Sequence, residues 1–166
     1  MQGTIPRAAL VASVALMQML YPRASAWARS PETAPASVVL FYDALTAAVG
    51  KDVKGLLTEA TAPDWVSCGT NEGCGVRDQV IAAIAERHKT IPDLKWEIKE
   101  VLVSGNRVVV RGEASGTPSG DFLGVANGGK SFKLMSIDVH TIEAGKISHS
   151  YHVEDWMGAA RQLSAK

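Results

Sequence analysis

The chain divides into a first part with helical spacing of apolar residues and a second part in which apolar and polar residues alternate. Val38, Phe41 and Leu45 lie three or four positions apart, which predicts a helix from about Pro35 to Val49 that stops at Gly50. Two further helices are predicted by the same spacing over residues 53–57 and 76–88. The last of these must end before Pro92, because proline cannot continue a helix.

After Pro92 the apolar positions recur every second residue, as in strands. Trp96, Ile98 and Leu102 alternate with charged residues, and Gly105-Asn106 then turns the chain. The predicted extended segments are 95–102, 107–111, 130–142 and 147–155, followed by a helical turn over 156–163. Helices followed by a meander of antiparallel strands predict an α+β domain, with the helices covering one face of a curved sheet.

The first residues are typical of an export signal. Residues 1–31 contain no acid, Arg7 precedes an apolar run over 8–20, and Ala24-Ser25-Ala26 has the small-residue pattern of a signal-peptidase site. The apolar run is too short to cross a bilayer. The sequence therefore predicts a signal peptide over 1–26, a linker over 27–35, a domain over 36–166, and a secreted or periplasmic mature protein.

Export favours a disulfide between Cys68 and Cys74, which flank a flexible run of residues. Two alternatives are a nucleophilic thiol, which needs a neighbouring base, and a metal site, which needs further ligands.

Composition excludes several classes of partner. The chain has 17 Lys+Arg and 17 Asp+Glu, so it lacks the basic surface of a nucleic-acid binder, and no membrane contact is expected after signal cleavage. Residues 124–131 match the spacing of a phosphate-binding P-loop, but the residues after Lys130 follow a strand pattern instead of the required helix. A small soluble enzyme or a binding protein is left.

The last two strands carry the candidate chemistry. If Glu143–Lys146 forms the turn, His140 opposes His149 and Asp138 opposes Tyr151. Asp155 would then share their apolar face, where ionisable groups acquire the shifted pKa values that proton transfer requires. Two structural alternatives are a helix cap at Asp155 and a cross-strand hydrogen bond between Asp138 and Tyr151.

Several segments, in order, resemble the SnoaL-like polyketide cyclases, also called ester cyclases, of the nuclear transport factor 2-like superfamily. These segments are residues 91–98, 105–112, 115–117, 137–140, 145–147, 151–156 and 162–163. The resemblance covers about residues 37–163. It implies a cone-shaped α+β barrel with helices packed on a strongly curved antiparallel sheet around an apolar cavity, and a homodimer or homotetramer built on the outer side of the sheet.

The resemblance also implies an activity. Asp155 matches the acid/base of an intramolecular aldol ring closure, His140 matches a pocket histidine, and Asp138 lies where the cyclases carry a polar partner. The expected reaction is proton transfer on an apolar carbonyl compound, with no cofactor and no metal. Further contacts to this small molecule are predicted from Tyr151, His149, Phe132, Leu134 and Trp65. The alternative is a non-catalytic binding module of the same fold.

Overall fold

The computed structural model describes residues 33–126 and 128–165, so the predicted signal peptide and most of the predicted linker lie outside the described residues. The helices are α1 (Ala36–Leu45), α2 (Val53–Ala60), α3 (Arg77–Thr90) and α4 (Trp156–Ser164). The strands are β1 (Thr61–Cys68), β2 (Cys74–Val76), β3 (Lys95–Ser104), β4 (Arg107–Gly116), β5 (Phe132–Glu143) and β6 (Lys146–Glu154). This order confirms the predicted α+β class.

Helix α1 ends at Leu45, four residues before the predicted end at Val49. The backbone leaves the helix because its next groups bind the start of β3. The Ala47 N–H donates to the carbonyl oxygen of Leu94 at 2.8 Å, and the Thr46 hydroxyl accepts from the Trp96 N–H at 3.0 Å. A tertiary contact thus ends the helix before its apolar pattern does.

The six strands form one sheet in the order β2-β1-β6-β5-β4-β3. Strands β3 to β6 form the predicted antiparallel meander. The short strand β2 and the parallel pairing of β1 with β6 add to that prediction. The disulfide between Cys68 and Cys74 is present, as predicted, and it joins β1 to β2 directly before α3 begins.

Strand β4 continues to Gly116, although the sequence predicts a loose segment from Gly112 onward. Gly112 pairs with Ser136 of β5, and a Cβ atom at Gly112 would lie 2.6 Å from the Ser136 hydroxyl oxygen and 3.3 Å from the Tyr42 ring. The glycine therefore allows α1 and β5 to approach closely at this point.

The apolar core lies between the helices and the inner face of the sheet. Among its fully or almost fully buried side chains are Val38, Phe41, Leu57, Trp65, Val101, Val110, Phe132, Leu134, Ile147 and Ala159. The outer face of β5 and β6 is apolar but uncovered within one chain, since Met135, Tyr151 and Val153 are 55 %, 46 % and 62 % exposed. Within residues 33–126 and 128–165, no helix combines the length and apolar character needed to cross a membrane.

Candidate functional site

The β5–β6 hairpin contains a bulge that determines which side chains share a face. Glu143 pairs with Lys146, as predicted, and Ile142 pairs with Ile147, but Thr141 pairs with His149. Ser148 is therefore an extra residue on β6, the arrangement of a β-bulge. Because successive side chains of a strand point to opposite faces, this one-residue shift exchanges the faces of all later residues of β6.

The predicted pairing beyond the turn is wrong as a result. His140 pairs with Ser150 instead of His149, and Asp138 pairs with His152 instead of Tyr151. The side chains that face the helices together with Asp138 and His140 are those of Ser150, His152 and Glu154. The side chains of His149, Tyr151 and Val153 lie on the outer face.

Asp155 does not face the apolar interior, contrary to the prediction. It is the N-cap of α4, where its Oδ1 accepts a hydrogen bond from the Gly158 N–H at 2.7 Å. Its side chain is 54 % exposed, and Arg161 lies 3.9 Å from Oδ1. The structural alternative, a helix cap, is the role that the structure shows for this carboxylate.

A cavity of about 320 Å³ lies between α1, α3 and the inner face of the sheet. Phe41, Leu45, Val80, Ala83, Ile84 and Trp96 form most of its apolar wall. The sheet contributes Asp138, His152 and Glu154, and α3 contributes Gln79 and Arg87. A mostly apolar cavity with a few convergent polar groups is typical of a site for a small organic molecule.

Asp138 is the most deeply buried carboxyl group of the cavity, with 3 % of the residue exposed. Its Oδ2 accepts hydrogen bonds from the Tyr42 hydroxyl at 2.5 Å and from the Ser136 hydroxyl at 3.2 Å. Among the described residues, no hydrogen bond ends on Oδ1. Burial raises the pKa of Asp138 to about 6, even though the Tyr42 hydrogen bond acts in the opposite direction. The carboxyl group therefore changes protonation near neutral pH, as a general acid or base should.

Tyr42 lies on α1 and reaches Asp138 across the core. Burial, followed by the neighbouring Asp138 charge, raises the pKa of the phenol, so the phenol keeps its proton and acts as a hydrogen-bond donor. This donor stabilises the ionised form of Asp138 and fixes the position of Oδ2.

His152 and Glu154 form a second polar pair beside Asp138. The Nδ1 atom of His152 lies 2.9 Å from Oε1 of Glu154, and this hydrogen bond raises the pKa of the imidazole. The opposite edge of the ring faces Gly69, where an added Cβ would lie 3.3 Å from Cε1. Protonated His152 thus has its Nδ1–H bound to Glu154, which leaves its Nε2–H to act as a donor.

His140 is fully buried and does not line the cavity. The Trp65 indole N–H donates to the Ser150 hydroxyl at 3.0 Å, and that hydroxyl lies 2.8 Å from Nδ1 of His140. The Nε2 atom of His140 has no hydrogen-bond partner among the described residues. Burial lowers the pKa of His140 to about 4. Its predicted contact with a substrate oxygen is not present in this geometry.

The predicted substrate contacts lie elsewhere as well. Phe132, Leu134 and Trp65 are core residues, and none of them lines the 320 Å³ cavity. Tyr151 lines a different cavity of about 200 Å³ between the disulfide loop and the outer face of the sheet. His149 is also on the outer side, with Nε2 3.7 Å from the sulfur of Cys68. Tyr151 and His149 lie on the outer face because of the bulge at Ser148.

Four functional side chains were not predicted as members of the site: Tyr42, His152, Glu154 and Arg87. Gln79, Ala83 and Arg87 lie four residues apart, so they share one face of α3. The two polar residues interrupt the apolar stripe of this helix, which is a sequence signal for a functional site. In the described part of the chain, no group of three or more His, Cys, Asp or Glu side chains is arranged to hold a metal ion.

Comparison with known proteins identifies the fold. IdmH of Streptomyces antibioticus, assigned as a polyketide cyclase, superposes with a TM-score of 0.68 at 22% identity, covering 78% of this chain and 96% of IdmH. A protein from Jannaschia sp. CCS1, assigned as a SnoaL-like polyketide cyclase, gives 0.67 at 25% identity, with 83% and 97% covered. TsrD of Streptomyces laurentii gives 0.64 at 27% identity, with 80% and 98% covered.

These similarities confirm the predicted α+β fold of helices on a cone-shaped curved sheet, with a mixed sheet in place of a purely antiparallel one. No protein of curated function matches the sequence significantly. The family model of the SnoaL-like polyketide cyclases matches residues 37–163, which is nearly the whole described domain. The chain therefore belongs to the SnoaL-like polyketide cyclase family.

Proposed function

We propose that the protein is an acid/base enzyme that rearranges or cyclises a largely apolar carbonyl compound within the 320 Å³ cavity. The observation that carries this proposal is the carboxyl group of Asp138. It is buried at the cavity, its Oδ1 has no hydrogen-bond partner among the described residues, and its pKa is raised to about 6. A carboxylate with these properties is a base matched to carbon acids next to a carbonyl group.

In the proposed reaction, Oδ1 of Asp138 removes a proton from the carbon next to the substrate carbonyl. The electron pair of the broken C–H bond forms an enolate. In a ring closure, the enolate carbon attacks a second carbonyl of the same molecule and forms the new C–C bond. The resulting alkoxide takes a proton from His152, and transfer of one proton from Asp138 to His152 through water restores the enzyme.

The two polar pairs have complementary tasks in this scheme. Tyr42 holds Asp138 in place through Oδ2, so that Oδ1 is the oxygen left for the substrate. The hydrogen bond to Glu154 raises the pKa of His152 and so favours its protonated form, the acid adjacent to the base. Because Asp138 and His152 are paired across β5 and β6, their side chains are neighbours on the inner face.

The test uses 2-tetralone, an apolar ketone with acidic α-protons, as the probe. We expect the wild-type protein to accelerate hydrogen–deuterium exchange at these carbons, as measured by proton NMR in D₂O. Asp138→Asn should lower the protein-dependent rate by about 100-fold, the lower range for loss of a general base. Asp155→Asn is the matched control and should keep the wild-type rate, because Asn is an equally good helix cap.

The opposite outcome distinguishes the two carboxylates. If Asp155→Asn loses the activity and Asp138→Asn keeps it, the proposal is wrong and the family-based role of Asp155 is supported. If the wild-type protein binds the ketone without accelerating exchange, the protein is a non-catalytic binding module.

We further propose that the mature protein acts outside the cytoplasm. The export signal and the Cys68–Cys74 disulfide support this location, because disulfides persist in oxidising compartments. Expression of the full chain in a bacterial host, followed by mass spectrometry of the periplasmic fraction, should detect a chain that begins at Trp27. An uncleaved chain confined to the cytoplasm would contradict export.

We also propose a homodimer formed through the apolar outer face of β5 and β6. Met135, Tyr151 and Val153 are exposed on this face. Light scattering should give the mass of a dimer or of a tetramer built from two dimers. The double substitution Met135→Lys and Val153→Glu should convert it to a monomer that keeps the exchange activity. A wild-type protein that is already monomeric would contradict this assembly.

A further inference from the structure

Arg87 is a cation at the cavity that has no ion-pair partner among the described residues. It lies on α3, is half-buried and lines the 320 Å³ cavity. Its guanidinium stacks on the ring of Trp156, with 4.8 Å between the guanidinium carbon and the ring centroid. Within the described part of the chain, it makes no side-chain hydrogen bond, and no carboxylate oxygen lies within the 4.0 Å that defines an ion pair.

In the described part of the chain, several other basic side chains form ion pairs with carboxylates. Lys51 lies 2.7 Å from Asp43, and Arg111 lies 2.9 Å from Glu100. The charge of Glu154 acts on Arg87 and tends to raise its pKa, but the Glu154 carboxylate lies beyond ion-pair distance. That carboxylate is already bound to His152 through Oε1. Unlike Lys51 and Arg111, Arg87 thus has no carboxylate within ion-pair distance among the described residues.

Such a position is unfavourable for the protein alone. A guanidinium withdrawn from water needs hydrogen-bond acceptors, and burial accordingly lowers the pKa of Arg87. The contact with Trp156 offsets part of this cost. The guanidinium N–H groups of Arg87 make no hydrogen bond among the described residues, so they can bind an acceptor.

We propose that the ligand of this cavity carries a carboxylate group, which Arg87 binds through its N–H groups. This inference rests on the proposed function, because it names a feature of the same ligand. The carboxylate would lie at the α3 side of the cavity, and the reacting carbon would lie on the sheet side next to Asp138. The planar fork of the guanidinium matches the two oxygens of a carboxylate, which it would bind as a bidentate pair.

The experiment compares two probes of equal size, 1-naphthylacetate and 1-naphthylacetamide, which differ in charge. Dissociation constants are measured by heteronuclear NMR titration with the full domain, wild type and variants. We expect the wild-type protein to bind the acid roughly tenfold more tightly than the amide. Arg87→Met should abolish this preference while leaving the affinity for the amide within about twofold, because the amide makes no ion pair.

Two further variants exclude indirect effects. Arg161→Met is the matched control, since Arg161 is 71 % exposed and outside the cavity, and it should keep the preference for the acid. Arg87→Lys keeps the charge but loses the planar fork, so it should retain only part of the preference.

Equal wild-type affinities for the two probes, binding of neither probe, or a preference that survives Arg87→Met would each overturn the inference. The readout is binding alone, so it is independent of the exchange assay. A protein that prefers the acid through Arg87 but does not exchange the protons of 2-tetralone would refute the catalytic proposal and leave this one standing.

Discussion

The protonation of Asp138 should be visible in the stability of the protein, and the variant Asp138→Asn isolates it. The carboxyl group has a pKa of about 6 in the folded protein and 3.8 as its ordinary value. The folded state therefore binds a proton more tightly than the unfolded state does. The resulting stabilisation is complete below about pH 3.8 and is lost as the pH rises through 6. Asparagine has no such titration, but it keeps an oxygen that accepts from Tyr42.

The size of the effect follows from the shift. A raise of about 2 pKa units corresponds to about 3 kcal/mol between the fully protonated and the fully ionised limits. The unfolding free energy of the wild type minus that of Asp138→Asn should thus be larger at about pH 4 than at about pH 7.5 by up to this amount. At neutral pH the variant should be the relatively more stable protein, which is the sign expected when a functional charge is held in an apolar cavity.

Urea unfolding followed by tryptophan fluorescence, with the disulfide kept oxidised, measures this difference across the pH range. Tyr42→Phe provides a companion variant. The Tyr42 hydrogen bond lowers the pKa of Asp138, so its loss should move the midpoint of the pH dependence upward. A wild-type-minus-variant difference that does not change with pH, or that grows as the pH rises, would refute the reasoning.

Three other predictions use the same assays. Asp155→Ala should destabilise the protein by about 1 kcal/mol through loss of the α4 cap, whereas Asp155→Asn should stay near wild type in urea. Gly69→Ala should shift the His152 ring, because the new Cβ would lie 3.3 Å from Cε1; unchanged His152 imidazole resonances in heteronuclear NMR would contradict this contact. The pKa of His140 is lowered to about 4, so its stabilisation is lost as the pH falls from 6.5 towards 4, and the wild type should lose about 3 kcal/mol relative to His140→Gln over that window.

The sequence predicted the elements well because their signals are local. The apolar spacing, the turns and the prolines lie within each segment, and the two cysteines are close enough in sequence for their pairing to be evident. The parallel contact between β1 and β6 joins residues more than 80 positions apart, such as Val66 and His149. No local pattern reports such a pairing, so the mixed character of the sheet became apparent only in the structure.

The sequence predicted only part of the candidate site, because several of its contacts join residues that are far apart in the chain. Asp138 was identified because it is a carboxylate on an apolar strand, and this property is readable from the alternation. Its partner Tyr42 lies 96 residues away on a helix, and the predicted register paired Asp138 with Tyr151 instead of His152. Both errors depend on tertiary geometry: the packing of α1 on the sheet, and one unpaired residue in β6.

The cap at Asp155 did have a sequence signal, since the aspartate is followed three positions later by a glycine. The same spacing occurs at Asp52 and Gly55, where the aspartate also accepts from the glycine N–H, at 2.8 Å. In both pairs a Cβ on the glycine would collide with the carboxylate, at 2.2 Å for Gly55 and 2.0 Å for Gly158. An aspartate with this neighbour, next to a predicted helix, is better interpreted as a cap than as a base.

The extra residue Ser148 has a consequence for how proteins of this type can be compared and how they can diverge. Removal of that one serine would restore a regular hairpin and turn the imidazole and carboxylate of β6 outward, while the tyrosine and valine turned towards the ligand. The loss or gain of a single codon near this turn would thus change which side chains of β6 face the interior without altering any other amino acid. A sequence alignment that matches a hairpin with the bulge to one without it, and leaves no gap, would equate residues whose side chains lie on opposite faces of the sheet.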